Sequence, residues 1–143
     1  MTVLYLESSA LLSWINGEPE GERVRTLMDG ASLLVTSSLS PLEVRRGLIR
    51  RELRREITAA VRNKLLGLLE SRLPQWEILD LSKKIRSRAS ERFPVEPVRT
   101  LDAIHLATIL EAIKIYPDFE VATLDKRVRE NLEPLGLTDA FLS

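Results

Sequence analysis

Short runs of apolar residues alternate along the chain with longer stretches in which apolar residues recur every three or four positions. The first run, Val3–Leu6, is rich in strand formers, is followed by Glu-Ser-Ser, and predicts a buried strand. Similar runs predict strands at residues 31–36, 76–79 and 119–123, and the last residues of the chain are a candidate fifth strand.

The longer stretches have helical spacing. Between residues 42 and 68 the apolar positions are seven, four or three apart, which marks one face of a helix. Thr58 is a weak helix former and predicts a break near residues 57–58. The predicted N-caps are Ser8 or Ser9, Ser82 and Thr100. The predicted helices cover residues 10–15, 18–28, 40–74 with that break, 83–93, 101–115 and 124–133.

Strands that alternate with helices indicate a parallel sheet covered on both faces. The chain has 143 residues, 44% of them hydrophobic, and shows no internal repeat or linker. A chain of this length can bury one core, so we expect a single α/β domain over residues 1–143. No apolar run approaches the ~20 residues of a membrane span, and we expect a cytoplasmic protein without membrane contact.

The composition excludes several kinds of chemistry. With no cysteine and one histidine, the chain cannot form disulfides, use a thiolate or build a zinc site rich in cysteine or histidine. Its formal net charge of zero argues against a generic polybasic nucleic-acid binder.

Four carboxylates stand where predicted elements begin or end. Glu7 follows the first strand and Asp125 the fourth, while Glu43 and Asp102 are expected in the first turns of their helices, where the dipole favours anions. Parallel α/β folds bind ligands beyond the carboxyl ends of their strands. Acids gathered there would hold Mg²⁺ or Mn²⁺, which prefer oxygen ligands and serve phosphoryl chemistry.

The segments around these acids form a recognisable order. Residues 5–11 are YLESSAL, residues 99–107 are RTLDAIHLA and residues 123–125 are TLD, with a further acid in SPLE at 40–43. In this order they resemble the PIN-domain ribonucleases, most of all the toxin component of prokaryotic VapBC toxin–antitoxin pairs. The resemblance covers essentially the whole chain. It implies a PIN-like three-layer α/β/α fold with a five-stranded parallel sheet, RNA cleavage with Mg²⁺ or Mn²⁺, a homodimer and a cognate antitoxin.

The resemblance also implies roles for particular residues. The catalytic acids of the family map onto Glu7, Glu43, Asp102 and Asp125, of which Glu7, Asp102 and Asp125 would bind the metal. The hydroxyls near the metal map onto Ser9 and Thr123. The first acid is usually Asp in the family, and the extra methylene of Glu7 displaces the carboxylate by ~1.5 Å. Metal geometry is sensitive to about 0.2 Å, so this departure bears directly on activity.

The same acids predict how a partner would inhibit the protein. Carboxylates without a metal repel each other, and an arginine fork matches a carboxylate in bidentate fashion. We therefore expect the antitoxin to bring a basic segment with at least one arginine to Glu7, Asp102 or Asp125.

A basic stretch follows the second acid. Residues 43–64 hold eight basic and three acidic side chains, a local net charge of +5 in a neutral chain. The basic residues that fall four apart on one helix face are Arg46, Arg50 and Arg54. They form a candidate track for RNA phosphates. The alternative is a solvated helix with ion pairs within it, such as Glu52 with Arg55.

Three further side chains have two interpretations each. His105, three residues after Asp102, is either a base or supporting ligand, or a buried histidine bonded to backbone, and its apolar flanks favour the buried histidine. Trp14 and Trp76 either stack on bases or pack in the core, and an aromatic content of 5% favours the core.

Two functions agree with these residues. The first is a metal-dependent endoribonuclease acting as the toxin of a type II toxin–antitoxin system. The runner-up, motivated by Glu7, is a catalytically weakened PIN domain that binds RNA or a protein partner without cleavage. Other phosphoryl folds are disfavoured: a haloacid-dehalogenase-like phosphatase needs an acid where Ser9 stands, a receiver domain needs an acidic pair and a lysine, and a P-loop needs a glycine-rich loop.

Overall fold

One parallel sheet runs through the molecule, with the first predicted strand at its centre. The computed structural model describes residues 2–143. The strands are β1 (Val3–Leu6), β2 (Leu33–Ser37), β3 (Glu77–Leu79), β4 (Phe119–Ala122) and β5 (Thr138–Asp139). Their order across the sheet is β3-β2-β1-β4-β5, and every neighbouring pair is parallel. The predicted five-stranded parallel sheet is confirmed.

Seven α-helices cover this sheet in the described part of the chain. They are α1 (Ser8–Ile15), α2 (Gly21–Gly30), α3 (Leu39–Leu53), α4 (Ala59–Arg72), α5 (Lys83–Ala89), α6 (Thr100–Ala112) and α7 (Lys126–Leu132). Short 3-10 turns at Leu73–Gln75 and Glu133–Leu135 follow α4 and α7. No helix within residues 2–143 has the length and apolar character needed to cross a membrane.

Alternate side chains of β1 enter two separate cores. Val3 and Tyr5 pack with apolar residues of α6 and α7, whereas Leu4 and Leu6 pack with those of α1 to α4. Successive side chains of a strand point to opposite faces, so a strand covered on both faces needs consecutive apolar residues. The run at the start of the chain meets this need and produces the predicted three layers.

The N-termini of α1 and α6 differ from the prediction. α1 is capped by Glu7, whose carboxylate accepts the Ser9 N–H at 3.1 Å, so the predicted cap at Ser8 or Ser9 is wrong. α6 already includes Thr100, and Arg99 at the N-cap position makes no side-chain cap bond. Ser82 does cap α5, as predicted.

α3 begins earlier than predicted, and this moves one acid. The Leu39 N–H donates to Ser37 Oγ at 3.1 Å, which starts the helix before Pro41. Proline is tolerated there because the first turn has no intrahelical partner for its N–H groups. Glu43 therefore lies in the second turn and not in the first. Asp102 does lie in the first turn of α6, as predicted.

The break between α3 and α4 is confirmed near residue 58, but for a different reason. Arg55 adopts a left-handed backbone with φ of 59°, which ends the first helix. Thr58 then caps the second by accepting the Val61 N–H at 3.2 Å. Thr58 therefore starts a helix through its hydroxyl instead of weakening a helix interior.

Four other helices are shorter than predicted, among them α7, which spans Lys126–Leu132 and not residues 124–133. α2 starts at Gly21 because residues 18–20 form part of the connection from α1. α5 ends at Ala89, and the hydroxyl of Ser90 donates back to a helix carbonyl at 2.9 Å. α6 ends at Ala112, ahead of Pro117, which disfavours helical backbone in the residue before it.

Candidate active site

The carboxyl ends of β1 and β4 bring two of the predicted acids to one edge of the sheet. The strands are neighbours, and the Glu7 N–H donates to the Ala122 carbonyl at 3.0 Å. Glu7 follows β1 directly, and Asp125 stands just before α7. From β1 the chain continues to β2 and β3 on one side of the sheet, and from β4 it continues to β5 on the other side. The boundary between β1 and β4 is therefore the switch point at which such folds bind ligands.

Glu7 is buried at this edge, with 4% of its surface exposed, and accepts three hydrogen bonds. Ser9 donates its N–H to Oε2 at 3.1 Å and its hydroxyl to Oε1. Thr123 donates its hydroxyl to Oε1 at 2.6 Å. Ser9 and Thr123, the two hydroxyls predicted near the site, therefore contact Glu7 directly. The carboxylate caps α1 and also accepts a hydrogen bond from Thr123, the residue directly after β4.

Thr123 also connects Glu7 to Asp125. The Asp125 N–H donates to Thr123 Oγ1 at 3.1 Å. The Asp125 carboxylate in turn caps α7, because Oδ1 accepts the Arg127 N–H at 2.8 Å and the Val128 N–H at 3.1 Å. The buried hydroxyl of Thr123 thus fixes the side chain of Glu7 and the backbone of Asp125.

An open cleft of about 500 Å³ lies over this edge. Its lining residues are Glu43, Arg99, Thr100, Leu101, Asp102, Asp125, Lys126 and Arg127. Burial, together with the negative charges of Asp125 and Glu7, raises the pKa of Asp102 above its ordinary value. The structure therefore brings Glu7, Asp102 and Asp125 within electrostatic reach of one another, with Glu43 on the same cleft.

The cluster offers only oxygen donors to a cation. Within residues 2–143 no three acidic or histidine side chains stand close enough together to hold a metal ion. One reason is that Glu7 is held by Ser9 and Thr123. Mg²⁺ does not require a closed cage, since it binds through one or two carboxylates and keeps several waters. Cation binding would also relieve the repulsion felt by Asp102, so the donor set fits a hydrated magnesium or manganese ion.

Glu43 belongs to a buried hydrogen-bond network centred on His105. Its Oε1 accepts the Ser8 hydroxyl at 2.6 Å and lies 2.8 Å from His105 Nε2. On the other side of the imidazole, Nδ1 lies 2.9 Å from the Tyr5 hydroxyl. Burial alone would raise the pKa of Glu43, but the hydrogen bonds from His105 and Ser8 outweigh it, and the pKa lies below its ordinary value.

This network corrects the prediction for His105. The residue is buried, with 1% of its surface exposed, as predicted. Its ring nitrogens, however, contact the side chains of Tyr5, Ser8 and Glu43 and not the backbone. The apolar flanks of His105 in the sequence indicate burial, but its partners lie 62 to 100 residues away along the chain.

Three cations on the cleft were missed by the sequence reasoning. Arg99, Lys126 and Arg127 line it together with the acids. The Arg127 guanidinium is held by the Pro97 carbonyl at 2.8 Å, and the charge of Arg99 lowers the pKa of Asp102, against the stronger effects that raise it. The sequence could have identified them, because they stand within three residues of Asp102 or Asp125. Residues so close to an acid at the end of a strand or the start of a helix lie at the same edge of the sheet as that acid.

The predicted arginine track lies on an exposed helix face. Arg46 and Arg50 of α3 and Arg54 at its end are all exposed, and none pairs with a carboxylate within residues 2–143. The predicted pair between Glu52 and Arg55 is absent there, because Glu52 faces Arg62 across the α3–α4 break at 2.9 Å. The track is not part of the cleft lining.

Both tryptophans pack in the core on the side of α1 to α4, as predicted. Trp76 is buried, with 9% of its surface exposed. Trp14 is half-buried, and the Arg72 guanidinium lies 5.5 Å from the centre of one of its rings. Neither lines the cleft.

Comparison with known proteins agrees with this architecture. Residues 4–134 match the family model described as PIN domain. The chain is 35% identical over 137 residues to Ribonuclease VapC35 of Mycobacterium tuberculosis, an alignment that covers 94% of this chain and 93% of the relative. A structure of FitAB bound to an IR36 DNA fragment has a TM-score of 0.71 at 18% identity and covers 95% of this chain and 92% of that chain. The crystal structure of VapBC2 from Rickettsia felis bound to a promoter DNA fragment has a TM-score of 0.62 at 16% identity, with 96% of both chains covered. At these identities the two structures establish a shared fold.

Proposed function

Since this chain belongs to the PIN-domain family, we propose that it is a metal-dependent endoribonuclease that acts as the toxin of a type II toxin–antitoxin pair. The observation that carries the proposal is that Glu43, Asp102 and Asp125 line one cleft at the switch point of the sheet, where Thr123 connects Asp125 to Glu7. The 35% identity to a protein named as a ribonuclease supports the choice of RNA as substrate.

Glu7, Asp102 and Asp125 would hold a Mg²⁺ or Mn²⁺ ion in this proposal. When bound, such an ion neutralises charge on a phosphodiester and lowers the pKa of a coordinated water. The protein itself orients the carboxylates that would bind the ion. Ser9 and Thr123 fix the Glu7 carboxylate, and the α7 N–H groups fix that of Asp125.

Glu43 would orient the attacking water. Its lowered pKa keeps it ionised at neutral pH, so each of its oxygens can accept a hydrogen bond. Oε1 is occupied by Ser8 and His105, which leaves Oε2 for a ligand in the cleft.

RNA phosphates would contact two groups of cations. Arg99, Lys126 and Arg127 lie within the cleft and would hold the phosphates next to the scissile bond. The Arg46, Arg50 and Arg54 track is exposed and lacks carboxylate partners in the described residues, which suits longer-range backbone contacts.

The partners follow from the same proposal. We expect a homodimer and a cognate antitoxin, supported by the similarity to VapC35 and to the VapBC2 structure. The antitoxin segment that reaches Glu7, Asp102 or Asp125 should carry an arginine, so replacing its arginines with alanine should abolish inhibition. We expect the protein to act in the cytoplasm, where its RNA substrate would be.

A cleavage assay tests the activity. Purified protein should cut RNA with Mg²⁺ or Mn²⁺, EDTA should stop the reaction, and Asp102→Asn should abolish it. Asp29→Asn is the matched control, because Asp29 is an exposed acid on α2 that does not line the cleft. Equal activity in Asp102→Asn and Asp29→Asn would refute the proposed site.

A second candidate function is an RNA- or protein-binding PIN domain without cleavage. The observation that favours it is that Ser9 and Thr123 already donate three hydrogen bonds to the Glu7 carboxylate. RNA binding by the wild-type protein, without cleavage in either metal, would select this function.

A further inference from the structure

A continuous line of hydrogen bonds runs from the hydrophobic core to the cleft. It starts at Tyr5, the fully buried third residue of β1, passes through both nitrogens of His105, and ends at the Glu43 carboxylate on the cleft. The proposed reaction uses Glu43 but assigns nothing to Tyr5 or His105. Buried polar groups that are fully paired specify one arrangement of their neighbours, which suggests a role beyond packing.

The chemistry of the two ends sets the direction of these bonds. Glu43 is ionised at neutral pH and can only accept, so His105 Nε2 must carry the proton that faces Oε1 at 2.8 Å. At the other end, Tyr5 is fully buried, and an ordinary phenol loses its proton only at about pH 10. Its phenol therefore stays protonated and can donate to Nδ1 at 2.9 Å.

We propose that Tyr5 and His105 are positioning residues that hold the Glu43 carboxylate for the reaction. The Tyr5 hydroxyl donates to Nδ1 and thereby fixes the imidazole as the Nε2–H tautomer. That tautomer donates to Oε1 of Glu43, while Oε2 stays turned to the cleft. This inference rests on the proposed function of Glu43.

A second support meets the same carboxylate oxygen from α1. Ser8 donates its hydroxyl to Glu43 Oε1 at 2.6 Å and lies 3.2 Å from the Ser40 hydroxyl. The Ser40 hydroxyl also lies 2.7 Å from the hydroxyl of Thr36, near the end of β2. Glu43 is therefore held from α6 and from α1, and rotation of its carboxylate would break bonds on both sides.

The single histidine of the chain makes the tautomer directly measurable. Every imidazole ¹⁵N signal in the NMR spectrum comes from His105, because the chain has no other histidine. We expect the Nε2–H tautomer, with no proton on Nδ1. A proton on Nδ1, in the other tautomer or in an imidazolium, would overturn the proposal. This measurement does not depend on RNA cleavage.

Kinetic measurements test whether Tyr5 and His105 affect the reaction through Glu43. Tyr5→Phe should lower kcat by about 2- to 10-fold with little change in KM, from the net worth of one buried hydrogen bond. Tyr116→Phe, the same change at the only other tyrosine, should leave kcat unchanged. His105→Phe should cost about 10–100-fold, the range seen when a partner that orients a functional ligand is lost. His105→Gln, which can still offer an N–H near Nε2, should recover part of the loss.

A double-mutant cycle separates positioning from a general structural effect. In a Glu43→Gln background, Tyr5→Phe and His105→Phe should cause no further loss beyond about twofold. The same fold-loss in both backgrounds would mean that the two residues act through the structure at large and would overturn the proposal. If the wild-type protein cleaves no RNA, the proposed function fails. The NMR measurement on wild type and Tyr5→Phe then still decides whether Tyr5 fixes the tautomer that faces Glu43.

Discussion

The hydroxyl of Thr123 offers the sharpest test of how the acids are held. Thr123 is fully buried, donates to Glu7 Oε1 at 2.6 Å and accepts the Asp125 N–H at 3.1 Å. Thr123→Val removes this hydroxyl and nearly preserves the volume, so little cavity energy enters the result.

The magnitude follows from the two bonds that are lost. A hydrogen bond to a charged group contributes about 1.5–3 kcal/mol, and the Asp125 N–H, which is only part-buried, adds about 0.5–1 kcal/mol. Glu7 keeps both donors from Ser9, which limits the cost. We therefore expect Thr123→Val to lower the free energy of unfolding by about 2–4 kcal/mol. At about 2–4 °C per kcal/mol for a chain of this size, Tm should fall by about 5–15 °C.

The matched variant is Thr123→Ser, which keeps the hydroxyl and loses one methyl group, at a cost of about 1 kcal/mol. Urea unfolding of both variants, with an unchanged m-value, gives the two free energies. Cleavage should survive in Thr123→Ser and fall by about 10–100-fold in Thr123→Val, because Glu7 and Asp125 lose a shared support. If the two variants were equally stable and equally active, the hydroxyl would not orient the acids and the reasoning would be refuted.

Three further predictions concern the acids of the site and the arginine track. Asp102→Asn should stabilise the metal-free protein at pH 7 by up to about 1 kcal/mol, since Asp102 is partly exposed and water screens its repulsion. The raised pKa of Asp102 means that its ionised form destabilises the fold. The difference in stability between the variant and the wild type should therefore shrink as pH falls through that pKa, and it should vanish at about pH 3. Thermal unfolding at several pH values measures this difference. Glu7→Asp should lower both Tm and kcat, because the shorter side chain cannot meet the Ser9 and Thr123 donors at once, and a rise in kcat would show that Glu7 is an impaired ligand. Replacing Arg46, Arg50 and Arg54 with glutamine should reduce the salt dependence of RNA binding by a slope of about 0.7 per lost contact with single strands, and an unchanged slope would remove the track from the RNA path.

The parts of the fold that follow from local pattern were predicted well. β1 needs four consecutive apolar residues because both its faces are covered, and its bounds are confirmed to the residue. The parallel sheet follows from the alternation of strands and helices. Element ends were less accurate, because they depend on side-chain bonds such as the one from Leu39 to Ser37. This bond starts α3 one residue earlier than predicted and places Glu43 in its second turn.

The detailed contacts of the site depend on pairs that no local pattern encodes. Sequence reasoning gave Glu7 a catalytic and metal-binding role, and the structure shows that it also caps α1, a role in which Glu is uncommon. His105 finds Tyr5 and Glu43 only through the packing of β1, α3 and α6. The metal roles of the acids and the RNA role of the arginines stay predictions.

The parallel pairing of β1 with β4 has a consequence for how the protein is made. These strands are more than 110 residues apart in the sequence, and such distant pairing forms slowly because a long loop must close first. A nascent chain that has emerged only through α6 contains Glu7, Glu43 and Asp102 but neither Thr123 nor Asp125. Glu7 then lacks the hydrogen bond from Thr123, and the cleft lacks the lining residues Asp125, Lys126 and Arg127. The proposed nuclease site can therefore be complete only after β4 has been synthesised and has paired with β1, which leaves an interval in which a partner can meet an unfinished chain.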